Sequence, residues 1–254
     1  MSAAADRVAL ITGAARGIGE GIAWRLAEAG HPVVLADILP QVEETAARLS
    51  AAGHQARAVV MNVSNDAQVA ALPRALGDWW ERLGIVVNNA GISPKAPNGL
   101  PRKIAEMPAE EWRRVIEVDL TGAFLVSQAC IPPLRARRWG RVVMITSQAA
   151  RTKATIAGAH YAAAKSGLMG FARSLANELG PDGITVNCIA PGRIATPMAE
   201  GAAAGVNDRM LRAIPVGRLG TPRDVAEAVA FLVSDGASYL NGATLDVGGG
   251  SFMP

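Results

Sequence analysis

The sequence has few of the residues that secreted, disulfide-stabilised or metal-binding proteins require. Its 254 residues include only two cysteines and three histidines. Cys130 and Cys188 lie in separate apolar segments, which indicates core residues rather than a disulfide or a metal pair. The histidines, His31, His54 and His160, are scattered without the spacing of metal ligands. We therefore expect no metal site.

Charge and hydropathy also exclude two classes of partner. The net charge of +3 is small for this length, so no nucleic-acid-binding surface is expected. The densest basic stretch, residues 135–141, is interpreted as a solvated helix end. No segment approaches the about 20 consecutive apolar residues of a membrane-spanning helix, and the N-terminus lacks the pattern of a signal peptide. We expect no membrane partner and a cytoplasmic location.

Half of the chain is hydrophobic, and no linker divides it, so residues 1–254 are predicted to form a single domain. Apolar strands alternate with helical patterns, which is typical of a parallel sheet covered on both faces. Right-handed crossovers then predict an α/β doubly wound parallel sheet of about seven strands, a Rossmann fold with its ligand crevice at the strand carboxyl ends. The strands are centred on Val8, Val34, Val59, Val86, Val143, Val186 and Leu245.

A glycine-rich segment joins the first predicted strand to an apolar-periodic helix. Gly13, Gly17 and Gly19 would let backbone amides and the positive end of the helix meet a pyrophosphate closely. Their spacing differs by one residue from the usual dinucleotide fingerprint. The position directly after the first strand nevertheless favours a dinucleotide site.

Asp37 ends the second predicted strand, eighteen residues after Gly19. Dinucleotide-binding folds place an acid near this point, where it accepts the adenosine ribose hydroxyls. At about 4 Å, even water-like screening gives around 1 kcal/mol of repulsion per charge toward a 2′-phosphate. Asp37 therefore favours NAD over NADP, with a loop or helix-capping role as the alternative. Arg16 keeps NADP open, because a guanidinium in the glycine turn would neutralise a phosphate.

Tyr161 and Lys165 are separated by about one helical turn, which places them on the same helix face. At about 4 Å and an effective dielectric of 20, the ammonium would favour tyrosinate by about 3 pK units. The phenol would then exchange protons near neutrality, as a general acid/base does. His160 is adjacent in sequence but points about 100° away around a helix, so no direct catalytic role is expected.

Together with other motifs in the same order, these residues resemble the compact, single-domain form of the short-chain dehydrogenase/reductase family over essentially the whole chain. The resemblance implies reversible hydride transfer between NAD(H) and a secondary alcohol or ketone. It assigns the substrate oxygen to Ser147, general acid/base catalysis to Tyr161, and the nicotinamide ribose to Lys165. The matching motifs are Thr12-Gly13-x-x-x-Gly17-x-Gly19, Asn88-Asn89-Ala90-Gly91, Ser147 fourteen residues before Tyr161, Tyr161-x-x-x-Lys165, and Pro191-Gly192 followed by Thr196.

The resemblance further implies cofactor and substrate residues and a homotetramer built through the fourth and fifth helices and the C-terminal segment. The substrate contacts are expected at Ser147, Gln148 and Tyr161. The cofactor contacts are expected at Gly13, Arg16, Gly17, Ile18, Gly19, Asp37, Asn62, Val63, Asn89, Ala90, Gly91, Tyr161, Lys165, Pro191, Gly192, Ile194 and Thr196.

Two positions depart from the family pattern. Asp119 replaces an asparagine whose backbone carbonyl, in relatives, holds a water that links the lysine to solvent. We keep Asp119 as a catalytic candidate, because its charge would pair with Lys165 and raise the pKa of Tyr161. Asn62 stands where relatives usually have an aspartate beside the adenine, and an amide can still form a hydrogen bond there.

Two segments are interpreted as substrate-side elements, with ordinary surface loops as the alternative: a loop over residues 93–107 and a lid over residues 197–219. Arg151, Lys153 and Arg193 are candidate anion ligands. One alternative function is a 3-oxoacyl-thioester reductase using NADPH, which Asp37 disfavours. A second is a non-catalytic cofactor-sensing or scaffold protein, which the intact catalytic residues disfavour. The other predicted pocket residues, all apolar or uncharged, are Ile92, Gln148, Ile156, Met198 and Val206.

Overall fold

The computed structural model describes residues 3–200, 203 and 205–254. Within these residues, seven parallel strands form one sheet in the order β3-β2-β1-β4-β5-β6-β7. Each strand contains its predicted centre, so the predicted fold class is confirmed. The strands are β1 Val8–Thr12, β2 Val33–Asp37, β3 Ala56–Val60, β4 Leu83–Asn88, β5 Gly140–Ile145, β6 Ile184–Pro191 and β7 Thr244–Val247.

The helices connect these strands across both faces of the sheet. The segment between β3 and β4 holds two short helices, since proline occupies the start of the second and cannot continue the first. The helices are α1 Gly17–Glu28, α2 Val42–Ala51, α3 Asp66–Ala70, α4 Leu72–Leu76, α5 Ala109–Ile116, α6 Gly122–Arg137, α7 Ala159–Leu179, α8 Pro197–Glu200, α9 Val206–Arg212 and α10 Pro222–Leu232.

Strand β1 shows why the fold has two apolar layers. Val8 and Leu10 join the core on one face of the sheet, whereas Ala9 and Ile11 join the core on the other. All four residues are fully buried, because successive strand residues point to opposite faces and helices cover both. Strand β1 therefore anchors the centre of the molecule and carries the glycine turn at its carboxyl end.

One continuous helical segment, Ala109–Arg137, is long and apolar enough to cross a membrane by length and composition. Helices that pack in protein cores pass the same test. Here Val126, Cys130 and Leu134 of α6 are buried in the core that covers one face of the sheet. A π-helical turn, Glu117–Thr121, joins α5 to α6 within this segment.

The motifs of the sequence all lie at the carboxyl edge of the sheet. From β1 the chain first adds β2 and β3 on one side of the sheet and then β4 to β7 on the other. Ligands of doubly wound folds bind at the point where this direction changes, which here lies between β1 and β4. Part of the predicted lid, namely Gly201, Ala202 and Ala204, lies outside the described residues. The motifs at the edge are Gly13 after β1, Asp37 at the end of β2, Asn62 after β3, Asn89 after β4, Ser147 after β5 and Pro191 at the end of β6.

Candidate active site

The turn between β1 and α1 is built for close approach of a ligand to the backbone. Gly13 and Gly17 have φ of +64° and +65°, which side chains rarely adopt. A Cβ on Gly19 would lie 2.2 Å from the Gly13 carbonyl oxygen. The N-cap residue, Arg16, makes no side-chain capping bond, so the first amides of α1 are left for an anion. This cradle fits the pyrophosphate of a dinucleotide.

Asn89 clamps the glycine turn to the end of β4. Its side-chain nitrogen donates to the carbonyl oxygens of Thr12 and Gly13, at 2.9 Å each. The Thr12 hydroxyl accepts from the backbone nitrogens of Asn89 at 3.0 Å and Ala90 at 3.1 Å. Both hydrogens of the Asn89 amide are thus used within the protein. The predicted cofactor residue Asn89 therefore shapes the turn, together with Thr12, a residue whose role the sequence pattern did not reveal.

Asp37 lies against the same turn. It is 9% exposed, and its two carboxylate oxygens accept from the backbone nitrogens of Ala15 at 2.9 Å and Leu39 at 3.0 Å. Arg16, by contrast, is exposed. The negative charge beside the turn is therefore buried and held in place, whereas the positive charge is solvated.

The segment after β3 is used partly by the protein itself. The Asn62 side-chain oxygen accepts from the Ser64 backbone nitrogen at 3.1 Å and hydroxyl at 2.8 Å. Val63 is buried, and a Cβ on Gly122 would lie 2.7 Å from it. Any contact of Asn62 with an adenine would therefore use its NH₂ group.

The structure brings Ser147, Tyr161 and Lys165 together. Ser147 follows β5, and the other two lie in the first turns of α7. The Lys165 ammonium nitrogen is 5.6 Å from the centre of the Tyr161 ring. The Ser147 hydroxyl oxygen accepts from the Ala149 backbone nitrogen at 3.1 Å, and the Ser147 side chain lowers the pKa of Tyr161. A phenol, a hydroxyl and an ammonium thus converge at the carboxyl edge of β5.

Lys165 is also paired with Asp119, as the sequence predicted. The ammonium nitrogen lies 3.5 Å from Asp119 Oδ2 and donates to the Ile145 carbonyl oxygen at 3.2 Å. Asp119 is fully buried and Lys165 is 3% exposed. The second carboxylate oxygen accepts from the Ile92 backbone nitrogen at 2.7 Å. The π-helical turn, a feature often found at functional sites, carries Asp119 into this position.

Comparison with known proteins identifies the family of this chain. A family model described as enoyl-(acyl carrier protein) reductase matches residues 13–251. A 3-oxoacyl-(acyl-carrier-protein) reductase of Vibrio cholerae is 39% identical over 249 residues, which cover 97% of this chain and 98% of the relative. The chain belongs to the short-chain dehydrogenase/reductase family.

Other similar proteins have names that describe different substrates. The cis-4-hydroxycyclohexanecarboxylate dehydrogenase of Sinomonas cyclohexanicum is 41% identical over 247 residues, covering 97% of this chain and 96% of that protein. A Brucella melitensis crystal structure, described as a 3-oxoacyl-(acyl-carrier protein) reductase with bound NAD, is 42% identical. Its TM-score is 0.90, and the alignment covers 98% of this chain and 92% of that one.

The protonation of the family's tyrosine differs from the sequence-based expectation. Burial raises the pKa of Tyr161, and the negative charge of Asp119 raises it further. Lys165 and Ser147 lower the pKa without offsetting the burial. The expectation that the Tyr161 phenol exchanges its proton near neutral pH is therefore wrong for the polypeptide alone. Desolvation penalises tyrosinate, and the negative charge of Asp119 opposes the effect of the Lys165 ammonium. Burial also raises the pKa of Asp119, against the influence of Lys165.

We expect Asp119→Asn to shift the alkaline optimum of oxidation, and the rise in rate that leads to it, to lower pH. Removing the carboxylate removes one of the charges that raise the pKa of Tyr161, so tyrosinate forms at lower pH. The measurement is kcat/KM for alcohol oxidation as a function of pH. Glu117→Gln is the matched control, because Glu117 lies exposed in the same π-helical turn. An unchanged profile in Asp119→Asn would show that the carboxylate does not act on the phenol.

His160 has a role that its direction on an ideal helix did not indicate. It is fully buried, and its Nδ1 accepts from the Tyr161 backbone nitrogen at 2.7 Å. Its Nε2 lies 3.2 Å from a Glu111 carboxylate oxygen, so Nε2 carries the proton and donates it. Glu111 also pairs with Arg102 at 3.2 Å. Since the N-cap of α7 is Gly158, which has no side chain, His160 satisfies an amide that a cap would otherwise satisfy.

Replacing His160 should separate this positioning role from simple packing. His160→Ala should lower the free energy of unfolding by about 1 kcal/mol, the usual cost of a lost cap, and lower kcat by displacing Tyr161. His160→Asn should retain most of the stability and most of kcat, because the asparagine side-chain oxygen can accept from the Tyr161 backbone nitrogen as Nδ1 does. Urea denaturation and steady-state kinetics measure the two effects. Equal losses in both variants would contradict this role.

Proposed function

We propose that the protein transfers a hydride reversibly between NAD(H) and a secondary alcohol or ketone, with Tyr161 as general acid/base. The observation that carries this proposal is the convergence of Ser147, Tyr161 and Lys165 at the sheet edge that also holds the glycine turn. A phenol with a hydroxyl and an ammonium beside it is suited to proton exchange at a carbonyl oxygen.

The cofactor is proposed to lie across the carboxyl edge of the sheet. The glycine turn would hold the pyrophosphate, Asp37 the adenosine ribose and Lys165 the nicotinamide ribose. When bound, the nicotinamide supplies or accepts the hydride. The buried Asp37 and the exposed Arg16 support NAD over NADP. Both cofactors occur among relatives, since a Beutenbergia cavernae structure described as a putative gluconate 5-dehydrogenase contains NADP and is 34% identical, with a TM-score of 0.88 over 96% of both chains.

In the direction of reduction, the Ser147 and Tyr161 hydroxyls would hold the substrate carbonyl oxygen, and Tyr161 would donate its proton as negative charge develops there. The raised pKa of Tyr161 keeps this proton in place at neutral pH. In oxidation, tyrosinate would accept the alcohol proton, and Lys165 would stabilise it. The oxidation rate is therefore expected to rise with pH.

A 3-oxoacyl-thioester reductase remains the second candidate. It is favoured by the Vibrio cholerae relative and the Brucella melitensis structure. Reductases of this class typically prefer NADPH, which Asp37 disfavours. The Brucella melitensis protein is nevertheless described with bound NAD, so a carboxylate that favours NAD does not count strongly against this candidate. The non-catalytic alternative has no comparable support, since all three catalytic side chains are present.

Activity assays with both cofactors separate these candidates. Purified protein would be incubated with NAD or NADP and secondary alcohols or polyols, and with NADH or NADPH and ketones or 3-oxoacyl thioesters. Formation or loss of the reduced cofactor is followed by absorbance. We expect the higher kcat/KM with NAD(H) and a secondary alcohol or ketone. Higher kcat/KM for the 3-oxoacyl thioester favours the second candidate, and no turnover of any pair contradicts both.

A homotetramer is proposed for the assembly. Trp112 of α5 and Phe124 of α6 are 41% and 42% exposed, and Phe124 stacks edge-on against Phe171 of α7 with ring centres 6.0 Å apart. Exposed aromatic side chains on neighbouring helices are typical of an interface. Static light scattering should give four times the chain mass of 26.3 kDa. A mass of one chain would contradict the proposal.

A cytoplasmic location is proposed as well. Cys130 and Cys188 are both buried free thiols. Burial raises the pKa of Cys130 to about 12 and that of Cys188 to about 11, so neither forms a reactive thiolate at neutral pH. Unpaired thiols are compatible with a reducing compartment.

A further inference from the structure

Two half-buried basic side chains at the substrate end of the site have no acidic partner among the residues that the structure describes. Lys95 follows the Gly91 turn, and Arg193 follows Gly192. No carboxylate acts on either charge within the described part of the chain. Arg151 differs, because it pairs with Asp246 at 3.1 Å. Of the three predicted anion ligands, the structure therefore retains Arg193, while Arg151 is paired with an acid and Lys153 is exposed.

Lys95 connects its own loop, which follows Gly91, to the loop that leads from Ser147 to Tyr161. Its ammonium nitrogen donates to the carbonyl oxygen of Ile156, in the loop between Ser147 and Tyr161. It also lies 3.4 Å from the Ser93 hydroxyl oxygen. An ammonium has three hydrogens, so one donor remains for a ligand.

Arg193 approaches from the lid side. Its Nε and Nη2 donate to the Asn207 side-chain oxygen at 2.9 and 2.6 Å, and Nη2 also donates to the Ala199 carbonyl oxygen at 2.8 Å. These bonds fix the guanidinium and use three of its five hydrogens, which leaves Nη1 as a donor. The backbone nitrogen of Ala203 donates to the Gly99 carbonyl oxygen at 3.2 Å, which joins the lid to the loop that carries Lys95.

Lys95 and Arg193 lie in or against two segments that the hydrogen bond from Ala203 to Gly99 joins, and both side chains are half-buried in this region. Burial lowers the pKa of both side chains, and the charge of Arg193 lowers that of Lys95 further. Two like charges in such a region raise the energy of the protein until an anion neutralises them. The remaining donors, one on an ammonium and one group on a guanidinium, match the two oxygens of a carboxylate.

We propose that Lys95 and Arg193 form an anion subsite for the carboxylate of a hydroxy- or oxo-carboxylic acid substrate. This assignment rests on the proposed function, because the carbinol carbon of the same substrate would lie at Tyr161. It narrows the substrate class from secondary alcohols in general to those that carry a carboxylate on the lid side of the reacting carbon.

The first test is direct binding to the intact, NAD-saturated protein. Isothermal titration would compare cyclohexanecarboxylate with the neutral cyclohexanecarboxamide. We expect the carboxylate to bind about 10-fold more tightly or better, and Lys95→Gln and Arg193→Gln each to remove most of that preference. Lys103→Gln is the matched control, since Lys103 is exposed in the same loop as Lys95. Equal binding of the two ligands, or unchanged preference in both variants, would overturn the proposal.

The second test is turnover of 4-oxocyclohexanecarboxylate and its neutral carboxamide. Lys95→Gln should raise KM for the acid about 10- to 100-fold with little change for the amide, and Lys95→Arg and Arg193→Lys should restore part of the difference. NAD affinity, measured in each variant, shows whether the protein is folded. Carboxylate binding without turnover of any substrate supports the subsite and contradicts the proposed function. Equal turnover of acid and amide contradicts the subsite and supports the proposed function.

Discussion

Replacing Tyr161 with phenylalanine should lower kcat by about 10²- to 10⁴-fold or more, since general acid/base groups typically contribute that much. The affinity for NADH should stay within a few-fold of that of the unmodified protein. The variant keeps the aromatic ring and removes only the hydroxyl. The Lys165 ammonium, which lies 5.6 Å from the ring centre, and the Ser147 side chain both lower the pKa of that hydroxyl, so it is the group proposed to move a proton. The proposed cofactor contacts are mainly the glycine turn and Asp37, which the substitution does not touch.

Tyr239→Phe is the matched control for this experiment. Tyr239 is the second of the two tyrosines in the sequence, and its side chain is fully exposed. It should therefore retain the activity of the unmodified protein. Turnover and cofactor binding would be measured for both variants. Retained turnover in Tyr161→Phe would remove the phenol from the proposed mechanism.

Lys165→Met should inactivate the protein and also destabilise it by about 3–5 kcal/mol, the usual result of breaking a buried ion pair from one side. Asp119 is fully buried, and Lys165 is its ion-pair partner at 3.5 Å. Without the ammonium, the carboxylate must stay buried as an uncompensated charge or take up a proton. The double variant Lys165→Met/Asp119→Asn should regain most of the stability and none of the activity.

The stability of Lys165→Met is expected to depend on pH. Burial already raises the pKa of Asp119 in the folded protein, and removing Lys165 removes the main influence that lowers it. A group with a raised folded pKa favours folding at low pH, and this contribution is lost as pH rises from the unfolded value of about 3.9 through the folded pKa. Lys165→Met should therefore be less stable at neutral pH than in mild acid.

Urea denaturation at both pH values measures the effect. The double variant serves as the control, because its amide does not titrate and should show no such difference. A double variant that is no more stable than Lys165→Met would show that the Asp119 charge is not the source of the destabilisation. An equal stability of Lys165→Met and the unmodified protein would contradict the buried pair altogether.

The carboxyl-edge motifs and the strands could be predicted from sequence because their signals are local. A strand buried on both faces needs a continuous apolar run, and residues 8–11 of β1 and 33–36 of β2 are such runs. A turn that meets a phosphate needs glycine where the backbone is left-handed or closely packed, and Gly13 and Gly19 meet these conditions. The helical spacing of Tyr161 and Lys165 is equally local.

The sequence by itself thus determined the doubly wound sheet, the glycine turn and the set of candidate catalytic residues. Only the tertiary structure decided how these residues are protonated and supported. The raised pKa of Tyr161 depends on burial and on Asp119, which lies 42 residues earlier in the chain. The proposed anion subsite combines Lys95 and Arg193, which lie still further apart in the chain. Desolvation and long-range contacts are set by packing, and no local pattern of residues encodes them.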